Sequence, residues 1–194
     1  MSFFLLVPML VLFVMARSTG LHDMLARSVS SGDSAAATGY DSVRSAVTEY
    51  LFGHGELPAT VFSGREIAHL QDVQLLFMLQ SVVLAIAAMV CIGTATYLYT
   101  RGAAMADLIR RGAAWGFGPL IAFGVAMALF FDQLFIVLHR VLFTNDYWLL
   151  DPVEHILIRA YPPVFFQQFA VITFGIVVAA YLSVWTTLAV FKKR

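Results

Sequence analysis

Residues 65 to 72, Arg65-Glu66-Ile67-Ala68-His69-Leu70-Gln71-Asp72, gather an arginine, a histidine and two carboxylates within two helical turns. Positions three and four apart share a helix face, so Arg65, His69 and Asp72 fall in one row with Glu66 beside His69. An imidazole among carboxylates can move protons near neutral pH, because it titrates there and a carboxylate fixes its tautomer. A second histidine, His139, is followed by Arg140 and shares a helical face with Asp132. The loop after it, Phe143-Thr144-Asn145-Asp146-Tyr147-Trp148-Leu149-Leu150-Asp151-Pro152, is aromatic and acidic. Acid/base work by the pair is one chemistry, and metal binding by His69 with Asp72 or Glu66 is the other. The Glu66-x-x-His69 spacing supplies half of the paired motif of di-iron bundles, which need two copies and further glutamates. No His-x-x-x-His, His-Glu-x-x-His or Gly-x-Ser-x-Gly spacing occurs.

The elements that must position these residues are membrane helices. The 194 residues are 60% hydrophobic and 12% charged, with a mean hydropathy of +0.83, against about 25% charged in soluble domains. About 20 apolar residues cross the roughly 30 Å hydrocarbon core, and the charge-free run from Val73 follows the polar cluster with no turn signal. The fold class expected is an all-α membrane protein: a four-transmembrane-helix bundle with a small extracytoplasmic cap, the chain forming one integral membrane domain. Spans are expected at about 2–16, 73–99, 112–138 and 168–191. The first is short, and a signal peptide competes for it, but a charged n-region and a small-x-small cleavage site are missing, so a retained span is expected. Within 17–64, a helix-like piece from Tyr40 to Phe52 repeats Val43, Val47, Tyr50 and Leu51 at helical spacing. Gly53-His54-Gly55 and Pro58 end it.

Loop 100–111 and the tail Lys192-Lys193-Arg194 carry six of the twelve basic residues, which makes their side cytoplasmic by the positive-inside rule. Residues 17–72 hold four arginines against seven acids, and 139–159 two against three. Segments 17–72 and 139–167 are therefore expected outside, with His69 and His139 at one surface. Asp132 lies deep in an apolar run, where a carboxylate costs roughly 2.5 to 3.5 kcal/mol on insertion scales, so it should face the bundle interior and have a partner. His22, His54 and His155 are expected to be exposed, and Cys91 to be a small apolar-site residue. A net charge of zero without a basic run excludes nucleic-acid binding.

The strings Phe62-Ser63-Gly64-Arg65-Glu66-Ile67-Ala68-His69-Leu70-Gln71-Asp72-Val73 and Asp146-Tyr147-Trp148-Leu149-Leu150-Asp151-Pro152, preceded by His139, resemble the small four-span bacterial family that includes the lipoprotein intramolecular transacylase. The resemblance covers almost the whole chain in order and spacing.

The resemblance implies a membrane acyltransferase whose substrate is a diacylated bacterial lipoprotein. The acyl chain moves from the sn-2 oxygen of the diacylglyceryl group to the α-amine of the N-terminal cysteine, leaving a lyso-form lipoprotein. Two family histidines match His69 and His139. His69, oriented by Asp72 or Glu66, is expected as general base, and His139 as oxyanion donor helped by Arg65 or Arg140, the two roles being interchangeable. Asp132, Asp146 and Trp148 are supporting residues. No cofactor and no metal is expected, and partners are the lipoprotein and membrane lipid, with a monomeric enzyme. A metal-dependent membrane hydrolase using His69, Asp72 and His139, or a non-enzymatic assembly or adaptor protein, are the alternatives.

Overall fold

The structure is a computed structural model that describes residues 2–29, 39–53, 55–102 and 105–191. His54 and the basic C-terminal tail lie outside the described residues. Eight helices and no strand are found among the described residues: α1 Ser2–Ala16, α2 Thr19–Val29, α3 Asp41–Leu51, α4 Gly64–Thr100, α5 Met105–Leu129, α6 Phe131–Leu142, α7 Ile156–Ala160 and α8 Pro163–Phe191. Two helices, α4 and α8, are long and apolar enough to cross a membrane, and up to four spans result if the broken pairs α1/α2 and α5/α6 each count as one. The protein is an all-α membrane protein. No residue in the most apolar stretch of α4 is buried within the protein. Such a surface suits lipid, where a helix satisfies its backbone internally and its side chains need no partner.

At 37 residues, α4 is about 55 Å long, far more than the hydrocarbon core requires. Its excess lies at the charged start, which carries Arg65, Glu66, His69 and Asp72, since these side chains belong outside hydrocarbon. The third expected span, 112–138, is not one helix. Phe130 leaves helical geometry, and a new twelve-residue helix, α6, begins at Phe131. Asp132 therefore occupies a first turn, where a carboxylate is favoured by the helix dipole, and it is exposed instead of facing a bundle interior. Loop 100–111 also contracts: the chain turns at Arg101 and Gly102, whose φ of +67° suits glycine, and α5 starts at Met105. Pro163 opens α8 earlier than the hydropathy alone placed it, as proline is tolerated at a first helical position.

The chain forms two compact units, Met1–Met15 with Gln80–Leu129 and Val171–Arg194, and Ala16–Leu79 with Phe130–Ala170. The second carries the chemistry-bearing residues. Its core is built from Leu21, Leu25 and Ala26 of α2, Val43 and Val47 of α3, and Leu70, Phe131, Leu157 and Phe165. Polar contacts tie these helices: Gln74 Nε2 donates to the Tyr50 carbonyl at 2.6 Å, and Tyr161 Oη donates to the Arg44 carbonyl at 3.3 Å. The Arg17 guanidinium lies 4.8 Å over the Phe52 ring, a cation–π contact. His22 is not an exposed histidine. It sits edge-on to Phe165 and Phe169 at 6.0 and 6.1 Å, because the apolar face of α2 packs on the start of α8.

In the first unit, α5 and α8 approach closely at Gly124. A Cβ built there would collide with Cζ of Phe174 and lie 2.6 Å from its Cε1. Gly124→Val should therefore lower the melting temperature, since overpacking typically costs about 1 to 3 kcal/mol, more than the helix propensity gained over glycine. A second substitution, Phe174→Ala, should recover part of that loss in the same thermal melt.

Candidate active site

The start of α4 is fixed by one carboxylate. Ser63 N–H donates to Glu66 Oε2 at 2.7 Å, and Glu66 N–H donates to Ser63 Oγ at 3.3 Å, the reciprocal pattern of a capping box. The other oxygen, Glu66 Oε1, accepts from Leu157 N–H of α7 at 2.7 Å. Glu66 is 1% exposed. A buried carboxylate is tolerated here because both oxygens receive backbone N–H donors. Glu66 thus joins the first turn of α4 to α7 and does not orient His69.

One turn further on, the His69 ring lies 6.1 Å from that of His139, centroid to centroid, and 5.1 Å edge-on from Phe143. Two histidines 70 positions apart are brought to one place by α4 and α6. His139 is enclosed by Phe135 at 4.2 Å, Trp148 at 5.1 Å and Phe143 at 5.6 Å. Its Nδ1 is 2.7 Å from the Phe135 carbonyl oxygen. A carbonyl can only accept, so the proton is assigned to Nδ1, and neutral His139 presents an Nε2 lone pair. His69 differs, because its Nδ1 is buried without a hydrogen-bond partner. An orphaned buried N–H is the rarer and more costly arrangement, which assigns the lone pair to Nδ1 and the proton to Nε2. The two rings are complementary: one offers a base, the other a donor.

Burial drives the His69 pKa down to about 4, helped by the neighbouring His139 and opposed by Asp72. Burial also lowers His139, opposed by its bond to the Phe135 carbonyl. Both imidazoles are therefore neutral at neutral pH.

The remaining expected residues divide. Asp72 accepts from Asn145 Nδ2 at 2.9 Å, so neither expected carboxylate holds His69 by a hydrogen bond. Arg65 donates from Nη2 to the Asp146 carbonyl, which ties the aromatic loop to α4. Arg140 is exposed in the last turn of α6, and Asp146 is exposed, its backbone carbonyl being the part that is used. Trp148 stands against His139. His155 is buried, not a surface residue, and its Nδ1 accepts from Asp151 N–H at 3.0 Å just before α7. Among the described residues no three His, Cys, Asp or Glu side chains are grouped to hold a metal ion. Asn145, Phe143 and Phe135 were not singled out in the sequence. An asparagine following a helix end, two residues before an N–H it can cap, is the local signal of an Asx turn, and Asn145 Oδ1 does accept from Tyr147 N–H at 3.0 Å.

A helical membrane protein with two neutral imidazoles of opposite hydrogen-bonding polarity in a buried aromatic setting has the makings of an acid/base enzyme. The family model described as "Lipoprotein intramolecular transacylase Lit" matches residues 2–166, and the chain belongs to that family; it is an acyltransferase. No curated protein matches the chain. Among solved structures, the chain is similar to the membrane-integral lipoprotein intramolecular transacylase Lit of Bacillus cereus, with a TM-score of 0.78 and 19% identity, covering 99% of this chain and 93% of that one. A histidine-to-alanine mutant of the Bacillus cereus protein gives a TM-score of 0.60 and 20% identity, covering 99% and 96%. At these identities the likeness concerns the fold.

The His69 environment also sets a pH dependence of stability. Its folded pKa lies below the ordinary 6.5, so the unfolded chain binds the proton more readily. The contribution is present in full above pH 6.5 and is lost as the pH falls from there toward 4. Thermal melts in detergent should show the wild type losing more stability between pH 7.5 and 5 than His69→Gln, which does not titrate.

Proposed function

We propose that His69 and His139 form the catalytic pair of an intramolecular acyl transfer, from the glyceryl sn-2 oxygen to the α-amine of a lipoprotein's N-terminal cysteine. The observation that carries this is the 6.1 Å ring separation, with opposite tautomers assigned from the partners of the two Nδ1 atoms. His139 is the better base: its Nδ1–H is held by the Phe135 carbonyl, and Nε2 is left with a lone pair. His69, with its pKa near 4, is a poor base but a good neutral donor through Nε2–H. This reverses the roles first expected from the sequence, within the exchange that the sequence left open.

The free amine attacks the ester carbonyl carbon, and the carbonyl π electrons move to oxygen, where His69 Nε2–H donates to the developing charge. The ammonium proton passes to His139 Nε2. As the tetrahedral adduct collapses, the bond from the carbonyl carbon to the sn-2 oxygen breaks, and His139 returns the proton to the departing glyceryl alkoxide. An amide replaces an ester, so no external energy source is needed. Both reacting groups sit on one molecule, and holding them face to face supplies much of the rate through effective molarity.

Sidedness follows from charge. The arginine-poor, acid-rich segments 17–72 and 139–159 support an extracytoplasmic site on the cytoplasmic membrane of a bacterium. The diacylated lipoprotein enters from the lipid, and the enzyme acts as a monomer.

Purified His69→Ala and His139→Ala proteins given a diacylated lipopeptide should each lose N-acylation by at least about 100-fold, the lower range for a general acid or base, read by mass spectrometry of the lyso product. Near wild-type turnover in both removes this site. Treatment of the wild type with chelators should leave turnover unchanged, whereas loss restored by added metal would favour a metal-dependent hydrolase.

A further inference from the structure

We propose that Asn145 is a positioning residue for this reaction, acting through Asp72 to hold the aromatic loop against the histidine pair, and that Asp72 serves as the loop's anchor and not as the carboxylate that orients His69. The inference rests on the reading of His69 and His139 as the acid/base pair.

Asn145 is fixed at both ends of its amide. Nδ2 donates to Asp72 Oδ2 at 2.9 Å, and Oδ1 accepts from Tyr147 N–H at 3.0 Å. Only nitrogen can donate to a carboxylate and only oxygen can accept from N–H, so the amide has one possible orientation. The Tyr147 contact folds the chain back immediately before Trp148, and Leu149 N–H closes the turn on the Asp146 carbonyl at 3.1 Å. Trp148 is thereby delivered to the His139 ring, 5.1 Å away. Arg65 makes the second tie, to the Asp146 carbonyl. Both ties come from the row of α4 that also carries His69, so one helix face holds the donor imidazole and the loop that walls in the base.

The alternative role for Asp72 is the one its spacing suggested, a carboxylate three residues from the imidazole. His69 Nδ1 has no hydrogen-bond partner, while Asp72 spends Oδ2 on a residue 73 positions away. The two roles make opposite demands. An anchor needs only an acceptor oxygen, which asparagine also has. An orienting carboxylate needs its charge, and it must stay at position 72.

The test uses the full-length enzyme in detergent or proteoliposomes, with a diacylated lipopeptide bearing a free N-terminal cysteine amine. Turnover to the lyso form is followed by mass spectrometry, and thermal melts are recorded in parallel. Asn145→Asp faces two carboxylates across the tie and should lower kcat/KM by about 100-fold, the scale of a misplacement of about 1 Å. Asp72→Asn keeps an acceptor and should lose no more than about fivefold, as a neutral hydrogen bond replaces a charge-assisted one. The double variant Asp72→Asn with Asn145→Asp restores the tie with reversed polarity, the new carboxylate still accepting Tyr147 N–H. It should recover to within about tenfold of wild type.

Should Asn145→Asp fail to accumulate, recovery of folded, active double variant supports the proposal equally. Unchanged turnover in Asn145→Asp overturns it, and so does an Asp72→Asn loss as large as that of Asn145→Asp with no recovery in the double variant. The His69→Ala and His139→Ala controls separate the two levels: if they retain turnover the underlying site is wrong, and if they lose it while the exchange behaves otherwise, only the positioning role is.

Discussion

Glu66 is the contact on which the second unit depends. Its carboxylate receives the Ser63 and Leu157 backbone N–H groups, two donors that lie at the starts of different helices. Each would otherwise be a helix-terminal N–H with no partner, and charge-assisted bonds of this kind contribute about 1.5 to 3 kcal/mol each. The consequence is geometric as much as energetic. The first turn of α4 and the beginning of α7 become one joint, and the chain between α6 and α7, which contains the whole aromatic loop, is held at its far end by the same joint. His69 stands one turn from it.

Neither imidazole is hydrogen-bonded to a carboxylate. In many histidine sites a carboxylate fixes the ring and stabilises the imidazolium, but here Glu66 and Asp72 are both committed to amide donors. A backbone carbonyl and three aromatic rings surround His139 instead. Ring faces carry partial negative charge, so a proton taken up during the reaction meets π density and a carbonyl dipole and no full charge. In the proposed mechanism the proton that His139 takes from the amine is held by no carboxylate, which suits its return to the alkoxide.

Much of this was legible in the chain, and the losses have physical causes. The helix at 2–16 and the two long apolar helices α4 and α8 follow from local hydropathy, and the helix over Tyr40 to Phe52 from its repeat of buried Val43 and Val47. The two histidines could be placed at helix ends from the same information. What failed was long-range. Helical spacing set Glu66 and Asp72 beside His69, but their hydrogen bonds go to Leu157 and Asn145, 91 and 73 residues away, which no local pattern reveals. His22 and His155 look exposed among polar neighbours, but distant aromatics half-bury the first and a backbone turn buries the second. Phe130 breaks a helix while being as apolar as its neighbours, so hydropathy read straight through the bend and set Asp132 against a bundle interior, where the structure has it exposed in a first turn.

The His139 bond to the Phe135 carbonyl lies within a single turn of α6. Its two ends therefore travel together. A lipid-anchored substrate bulky enough to push the aromatic loop aside would disturb rings contributed from elsewhere, yet it would leave the address of that one hydrogen untouched. The side of the ring that carries the proton is thus written into five consecutive residues of one helix and needs nothing from the rest of the pocket.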